Sequence, residues 1–250
     1  MAWVETDSLS FSARHESEDA DAAEATLERL EEFRSRLDRL FEVTPGDVSV
    51  VMHAHPAALA LAHPWLPLAR VMTAPAGRRY MAGWFSSGEI HVLSPAALAA
   101  RASRVEGSRE ALLLAPLHEY AHLVVAANNR LFPPPFTTRS FSRYIRWAWL
   151  CEGAAVHFSG QLRHLRAAIA RRLREGGRPA FPPDARDAML LGGTVLGLLE
   201  RSAGSNACVD LVTRLDPAGA VAAIERAFER PLPDVEREWR DYLDGALAAS

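Results

Sequence analysis

The sequence predicts an α+β fold in which a mixed-sheet lobe (residues 1–127) precedes a helical lobe (residues 128–250), the two making one domain. Three observations carry this expectation. Strand-like alternation and a hairpin signal are confined to the first hundred residues. One long amphipathic helix interrupts those strands. Beyond Ser108 the apolar residues recur mostly at helical spacing. At 250 residues the chain is long enough to bury a sizeable core and near the upper limit for one domain.

Residues 9–15 open with apolar–polar alternation and read as a strand. Glu16 to Phe41 reads as a helix, with Leu27, Leu30, Phe33, Leu37 and Leu40 at spacings of three and four. Its first turns carry Glu16, Glu18, Asp19, Asp21 and Glu24, where the helix dipole favours negative charge. Pro45-Gly46 turns the chain into a second strand, Val48–Met52. His53, His55 and His63 come next. His53 and His55 share one side of an extended strand, but no Cys, Asp or Glu lies near in sequence to complete a metal site, so ordinary strand-end and loop histidines are the favoured reading. Tyr80 to Leu93 is a hairpin signal, two strand-like runs around Ser86-Ser87-Gly88.

Ser94-Pro95 starts a short helix, and Ser108 is expected to cap a longer one reaching Ala127. Pro116 should kink or restart that helix, because proline removes an intrahelical hydrogen bond. Phe132-Pro133-Pro134-Pro135-Phe136-Thr137-Thr138 reads as a stiff loop that is expected to overhang the cleft between the lobes. The next helix is expected to run through Ala155 to Arg174 and stop at Gly176-Gly177. Its Leu162, Leu165, Ile169 and Leu173 form a buried stripe, with Arg163, Arg166, Arg171, Arg172 and Arg174 as the wet side. The remainder is helical, punctuated by Pro182-Pro183, Gly192-Gly193, Gly204, Pro217 and Pro231-x-Pro233.

Chemistry concentrates in His118-Glu119-Tyr120-Ala121-His122, an H-E-x-x-H pattern inside an apolar helical run. Residues i and i+4 lie on one helix face, so both imidazoles can close on a single metal ion. Glu119 is rotated about 100° from His118, beside the ion, where a general base must stand to take a proton from activated water. Catalytic zinc takes three protein ligands and keeps a fourth position open, so a third ligand is required.

Downstream, Trp149-Leu150-Cys151-Glu152-Gly153-Ala154-Ala155 resembles the second zinc helix, W-L-x-E-G-x-A, of the gluzincins, the zinc peptidases that include thermolysin and the large aminopeptidases. The resemblance runs from about Leu9 to Leu243, and its two zinc segments are the specific part. It implies a zincin (thermolysin-like) fold and one Zn2+ per chain on His118, His122 and Glu152. It also implies peptide hydrolysis with Glu119 as base. The exposed sheet edge on which gluzincin substrates lie corresponds to Ile90, His91 and Val92. The family's oxyanion-stabilising Tyr or His is not evident, because Met189 to Gly193 reads Met-Leu-Leu-Gly-Gly; Tyr144 and His157 are the alternatives. The aminopeptidases' G-x-M-E-N segment is missing from Gly83 to Ile90, which implies endopeptidase-like cleavage. A catalytically silent zinc protein that binds peptides or a partner is the competing expectation, and the intact Glu119 weighs against it.

Composition narrows the partners. A net charge of −3 gives no reason to expect nucleic acid, and the arginines after Leu162 lack interleaved aromatics. Two cysteines build no disulfide framework; Cys151 adjoins Glu152, where a packed thiol is favoured over a fourth ligand. No apolar run approaches a membrane span, and the first fifteen residues, with Glu5 and Asp7, do not read as a signal peptide. The expectation is a soluble cytoplasmic protein acting on peptide or protein.

Overall fold

The computed structural model describes residues 2–63 and 65–248. Five strands, β1 (Trp3–Asp7), β2 (Phe11–Glu16), β3 (Val48–His53), β4 (Gly83–Ser86) and β5 (Glu89–Leu93), form one sheet in the order β1-β2-β3-β5-β4. The three inner strands are mutually parallel, and β1 and β4 lie antiparallel on the two edges. Helix α1 (Ala20–Leu37) makes the crossover from β2 to β3 that a parallel pair requires. Three short helices, α2 (Pro56–Ala62), α3 (Trp65–Met72) and α4 (Pro75–Arg78), separate β3 from the β4–β5 hairpin. Gly88, at φ +71°, closes that hairpin in the left-handed region that glycine enters at little cost.

Helices α5 (Pro95–Arg101) and α6 (Ser108–Leu113) lead into α7 (Ala115–Asn128), which carries the H-E-x-x-H residues. The second half is helical: α8 (Thr138–Arg146), α9 (Ala148–Phe158), α10 (Arg166–Arg174), α11 (Ala188–Ala203), α12 (Ser205–Thr213), α13 (Ala220–Phe228) and α14 (Leu232–Ala248). The mixed α/β architecture of the expectation is therefore present, with its strands early and its helices late. Among the described residues no helix is long and apolar enough to cross a membrane.

Three local expectations are corrected and one is met. Ile90, His91 and Val92 are not at a sheet edge: β5 pairs with β3 on one side and β4 on the other, because the hairpin folds β4 outward. The edge on that side is Gly83–Ser86. Ser108 does not cap the long helix; it begins the separate α6, whose N-cap is Gly107, while its Oγ accepts from the Ser103 amide at 3.1 Å. The restart expected at Pro116 is present: α6 ends at Leu113 and α7 begins at Ala115, with Pro116 in its first turn, where the missing N–H would have had no intrahelical partner. The helix bearing Glu152 does not run on to Arg174. It ends at Phe158, and Gly160 at φ +78° turns the chain into a 3-10 turn, Gln161–His164.

Two contacts fix the ligand helices. Tyr120, fully buried on α7, packs edge-on to Phe11 at 5.0 Å and Phe33 at 6.1 Å. Its hydroxyl donates to the Pro45 carbonyl at 2.6 Å, tying α7 to the sheet lobe. On the other side, α9 and α11 approach through glycines. A Cβ on Gly192 would stand 2.3 Å from the Trp149 carbonyl oxygen, and one on Gly153 would stand 2.6 Å from the Gly192 carbonyl carbon. Both clashes are with backbone, which cannot swing aside. The Gly-Gly pair that replaces an expected tyrosine thus serves helix packing. Gly192→Ala should destabilise the protein by about 3 kcal/mol or more and lower its melting temperature, as calorimetry would read; an unchanged melt would refute this account of the pair.

Candidate metal centre

Helix α7 presents His118 and His122 one turn apart, and α9 brings Glu152 against them. Their Nε2 atoms stand 3.1 Å apart. Glu152 Oε2 lies 3.4 Å from His118 Nε2, and its Oε1 lies 3.5 Å from His122 Nε2. Ligands placed 2.0–2.1 Å from a tetrahedral ion are separated by about 3.3–3.4 Å, so these three edges have the size of one face of such a site. All three residues are buried, and among the described residues they are the one group of this kind whose ligand atoms all lie within 4.8 Å of one another.

The surroundings orient each ligand. Gln161 donates through Nε2 to the Ala111 carbonyl at 2.8 Å, which aims its Oε1 at His118 Nδ1, also at 2.8 Å. The Nδ1 proton is thereby fixed and the Nε2 lone pair is turned toward Glu152 and His122. This is the consequence of the break at Gly160: a continuous helix would have carried Gln161 away. Tyr144 on α8 donates its hydroxyl to Glu152 Oε1. Phe85 stacks on the His122 ring at 4.3 Å with an interplanar angle of 17°.

The electrostatics of the cluster are compatible with a bound cation. Burial works against ionisation of Glu152, yet the His118 hydrogen bond and the two imidazoles hold its carboxyl down to about 2. Burial likewise disfavours a charged His118, but Glu152 overrides it and raises His118 above the ordinary histidine value. Burial pushes His122 down to about 3, leaving its ring neutral and able to bind a metal. Donor set, spacing and charge all fit a bound metal ion.

Glu119 stands beside this triangle. Among the described residues no group hydrogen-bonds its carboxylate, and burial pushes it up to about 8, against the opposing pull of His118. The β4 backbone descends directly onto it: a Cβ on Gly83 would lie 2.6 Å from Glu119 Cγ and Oε1. Arg70 on α3 holds that stretch from behind, donating from Nε and Nη2 to the Met81 carbonyl at 3.2 and 2.7 Å. Met81, Gly83, Trp84, Phe85, Tyr144 and Met189 complete the lining of a cavity of about 10 Å³, room for one water molecule.

The other residues singled out in the sequence lie elsewhere. His157, five positions beyond Glu152, points about 140° away on α9. It is half-buried, 3.8 Å from Glu200, and lines a separate cavity with Leu162 and Tyr242, so it is not part of this centre. Cys151 is a core thiol that burial keeps protonated. His53 and His91 share a 2.9 Å contact and the His63 ring sits 4.0 Å from that of His91, yet the three do not converge as ligands. Gln161 and Gly83 are the residues that sequence reasoning missed. The Gly160 helix break was the available signal for the first.

Compared with family models, with curated proteins and with solved structures, the chain matches none.

Because Gln161 fixes the His118 tautomer, Gln161→Ala should weaken metal affinity by about 10–100-fold without unfolding the protein. Competition against a chromophoric chelator would measure it, and unchanged affinity would remove Gln161 from the centre.

Proposed function

We propose that the chain is a zinc-dependent metallopeptidase of the gluzincin kind, with a zincin-type fold and endopeptidase-like cleavage. The observation that carries the reading is the closed triangle of His118, His122 and Glu152 sharing a cavity with Glu119, a carboxylate with no hydrogen-bond partner among the described residues. Two imidazoles and one carboxylate suit zinc. Bound there, zinc would supply Lewis acidity toward a carbonyl and make water easier to deprotonate. Glu119 would take the proton of a water molecule as its oxygen adds to the peptide carbonyl, and would pass it to the nitrogen that leaves when the C–N bond breaks. Tyr144 is the one hydroxyl-bearing residue lining the cavity and is the candidate for steadying the oxyanion. The substrate edge is reassigned to β4: among the described residues no strand pairs with its outer side, and an extended peptide can add there through main-chain hydrogen bonds. Such bonds need no free amine.

Metal analysis of the purified protein, with a peptide-library digest mapped by mass, tests the reading. Matched free and N-acetylated peptides should be cut at the same internal positions. Loss of single N-terminal residues from the free peptide alone would replace endopeptidase by aminopeptidase. One observation favours a second reading, a silent zinc protein: the cavity admits a water molecule but no peptide. Zinc at one per chain, with no cleavage of any peptide, would decide for it.

A further inference from the structure

We propose that the segment 129–137 is a built-in cap whose Phe136 side chain shuts the metal centre, so that the site becomes reachable only when the cap lifts. Phe136 sits among three aromatic rings, 4.8 Å from Trp84, 5.1 Å from Phe85 and 6.1 Å from Tyr144 between centroids. Two of those rings touch the centre directly. Phe85 lies flat on His122, and Tyr144 donates to Glu152. With this plug in place the ligands are 5–6% exposed. The cap explains why a site with a free base and a free strand edge has no open cleft.

The cap is fastened in a way that allows it to move. Its ends are tied: Asn129 donates to the Val212 carbonyl at 2.9 Å, and Thr137 and Ser140 form a reciprocal capping box at the start of α8. Between those ends, Pro133, Pro134 and Pro135 have no N–H to give, so no backbone donor of theirs can bond to the body. Phe132 and Pro133 are buried and anchor the first part of the segment, Phe132 in the core; besides them the polar ties are carbonyls, Leu131 accepting from Arg143 at 3.0 Å and Pro135 from the Ser140 hydroxyl at 2.8 Å, so the part free to lift is the stretch that carries Phe136. Both donors belong to α8, which adjoins the cap, and neither ties it to β4. What joins the cap to β4 is the apolar contact of a partly buried Phe136 ring. Contact of that kind is non-directional and re-forms readily, which suits a gate.

This inference rests on the metal-centre assignment, and the peptidase reading gives it its purpose, but its test requires no hydrolysis. Metal-free protein is treated with diethyl pyrocarbonate, and modification of His122 is followed by mass against the exposed His55 as internal reference. Labelling of a covered group tracks the population of the open form, so Phe136→Ala should raise the His122 rate relative to His55 by about 10-fold or more. Phe136→Leu should fall between, and serves if the alanine variant does not fold. Leu131→Ala, which alters an exposed side chain of the same segment, should match wild type. Equal rates in wild type and in a folded Phe136 variant overturn the cap, as does an equal rise in Leu131→Ala, which would signal general loosening. Faster labelling in a protein that cleaves no peptide leaves the cap standing and the peptidase reading fallen. Unchanged labelling in a protein that does cleave overturns the cap and leaves the peptidase reading intact.

Discussion

Glu119→Gln is expected to lower peptide hydrolysis by about 10²-fold or more while metal content and fold persist. Glutamine keeps the size and polarity of the side chain under Gly83 but cannot accept the proton. A wild type and variant that cleave equally would show that Glu119 is not the base. The substitution also has a consequence independent of turnover. In the metal-free protein burial raises the Glu119 carboxyl from 4.5 to about 8, so between those values the folded state holds a proton that the unfolded chain has released. The contribution of Glu119 to stability is therefore complete below pH 4.5 and is lost as pH rises through 8. The loss is on the order of a few kcal/mol. Glutamine mimics the protonated form at every pH. Thermal melts of the two metal-free proteins between pH 5 and 8.5 should diverge, wild type falling relative to the variant. Parallel curves would mean that the carboxylate is better solvated than its burial indicates.

The legible part of this protein was the part written in local spacing. His118 and His122 declare themselves because i and i+4 coincide on a helix, and Glu152 because its neighbours spell a known helix. The strand read at Val48–Met52 follows from the Pro-Gly turn before it, and the hairpin read over Tyr80–Leu93 from its Ser-Ser-Gly turn. What failed was placement across the chain. Alternation identifies Ile90–Val92 as a strand, but strand order is set by which hairpin arm packs outward, and nothing in Gly83–Ser86 marks it as the edge. His157 illustrates the same limit, since a helix position was weighed without its angle to Glu152. Gln161 was hidden because a single glycine had to be recognised as ending a helix; read as continuous, the segment turned Gln161 to the wrong face. The aromatic plug was half visible, in that three prolines promised an overhanging loop. Its contact with Trp84 and Phe85 joins residues some fifty positions apart and depends on the tertiary fold.

Glu152→Ala should abolish stable metal binding, with affinity falling by well over 10²-fold, beyond what loss of a surrounding hydrogen bond such as that of Gln161 produces. Three losses coincide at this residue. The ion loses a ligand and the only negative charge among its ligands. His118 loses the carboxylate that stabilises its proton in the metal-free state. Tyr144 loses its acceptor, and a buried hydroxyl without a partner costs about 1–3 kcal/mol. The variant should therefore be less stable than metal-free wild type as well as than the loaded protein. Glu152→Gln, which keeps an acceptor for Tyr144, should recover part of the stability but little of the affinity. Wild type should melt at a lower temperature after chelation, because an ion that binds only the folded state stabilises it. Glu152→Ala should be indifferent to the chelator. Elemental analysis beside calorimetry with and without chelator reads all of these together. Zinc at one per chain in the alanine variant would remove Glu152 from the ligand set, and the gluzincin proposal with it.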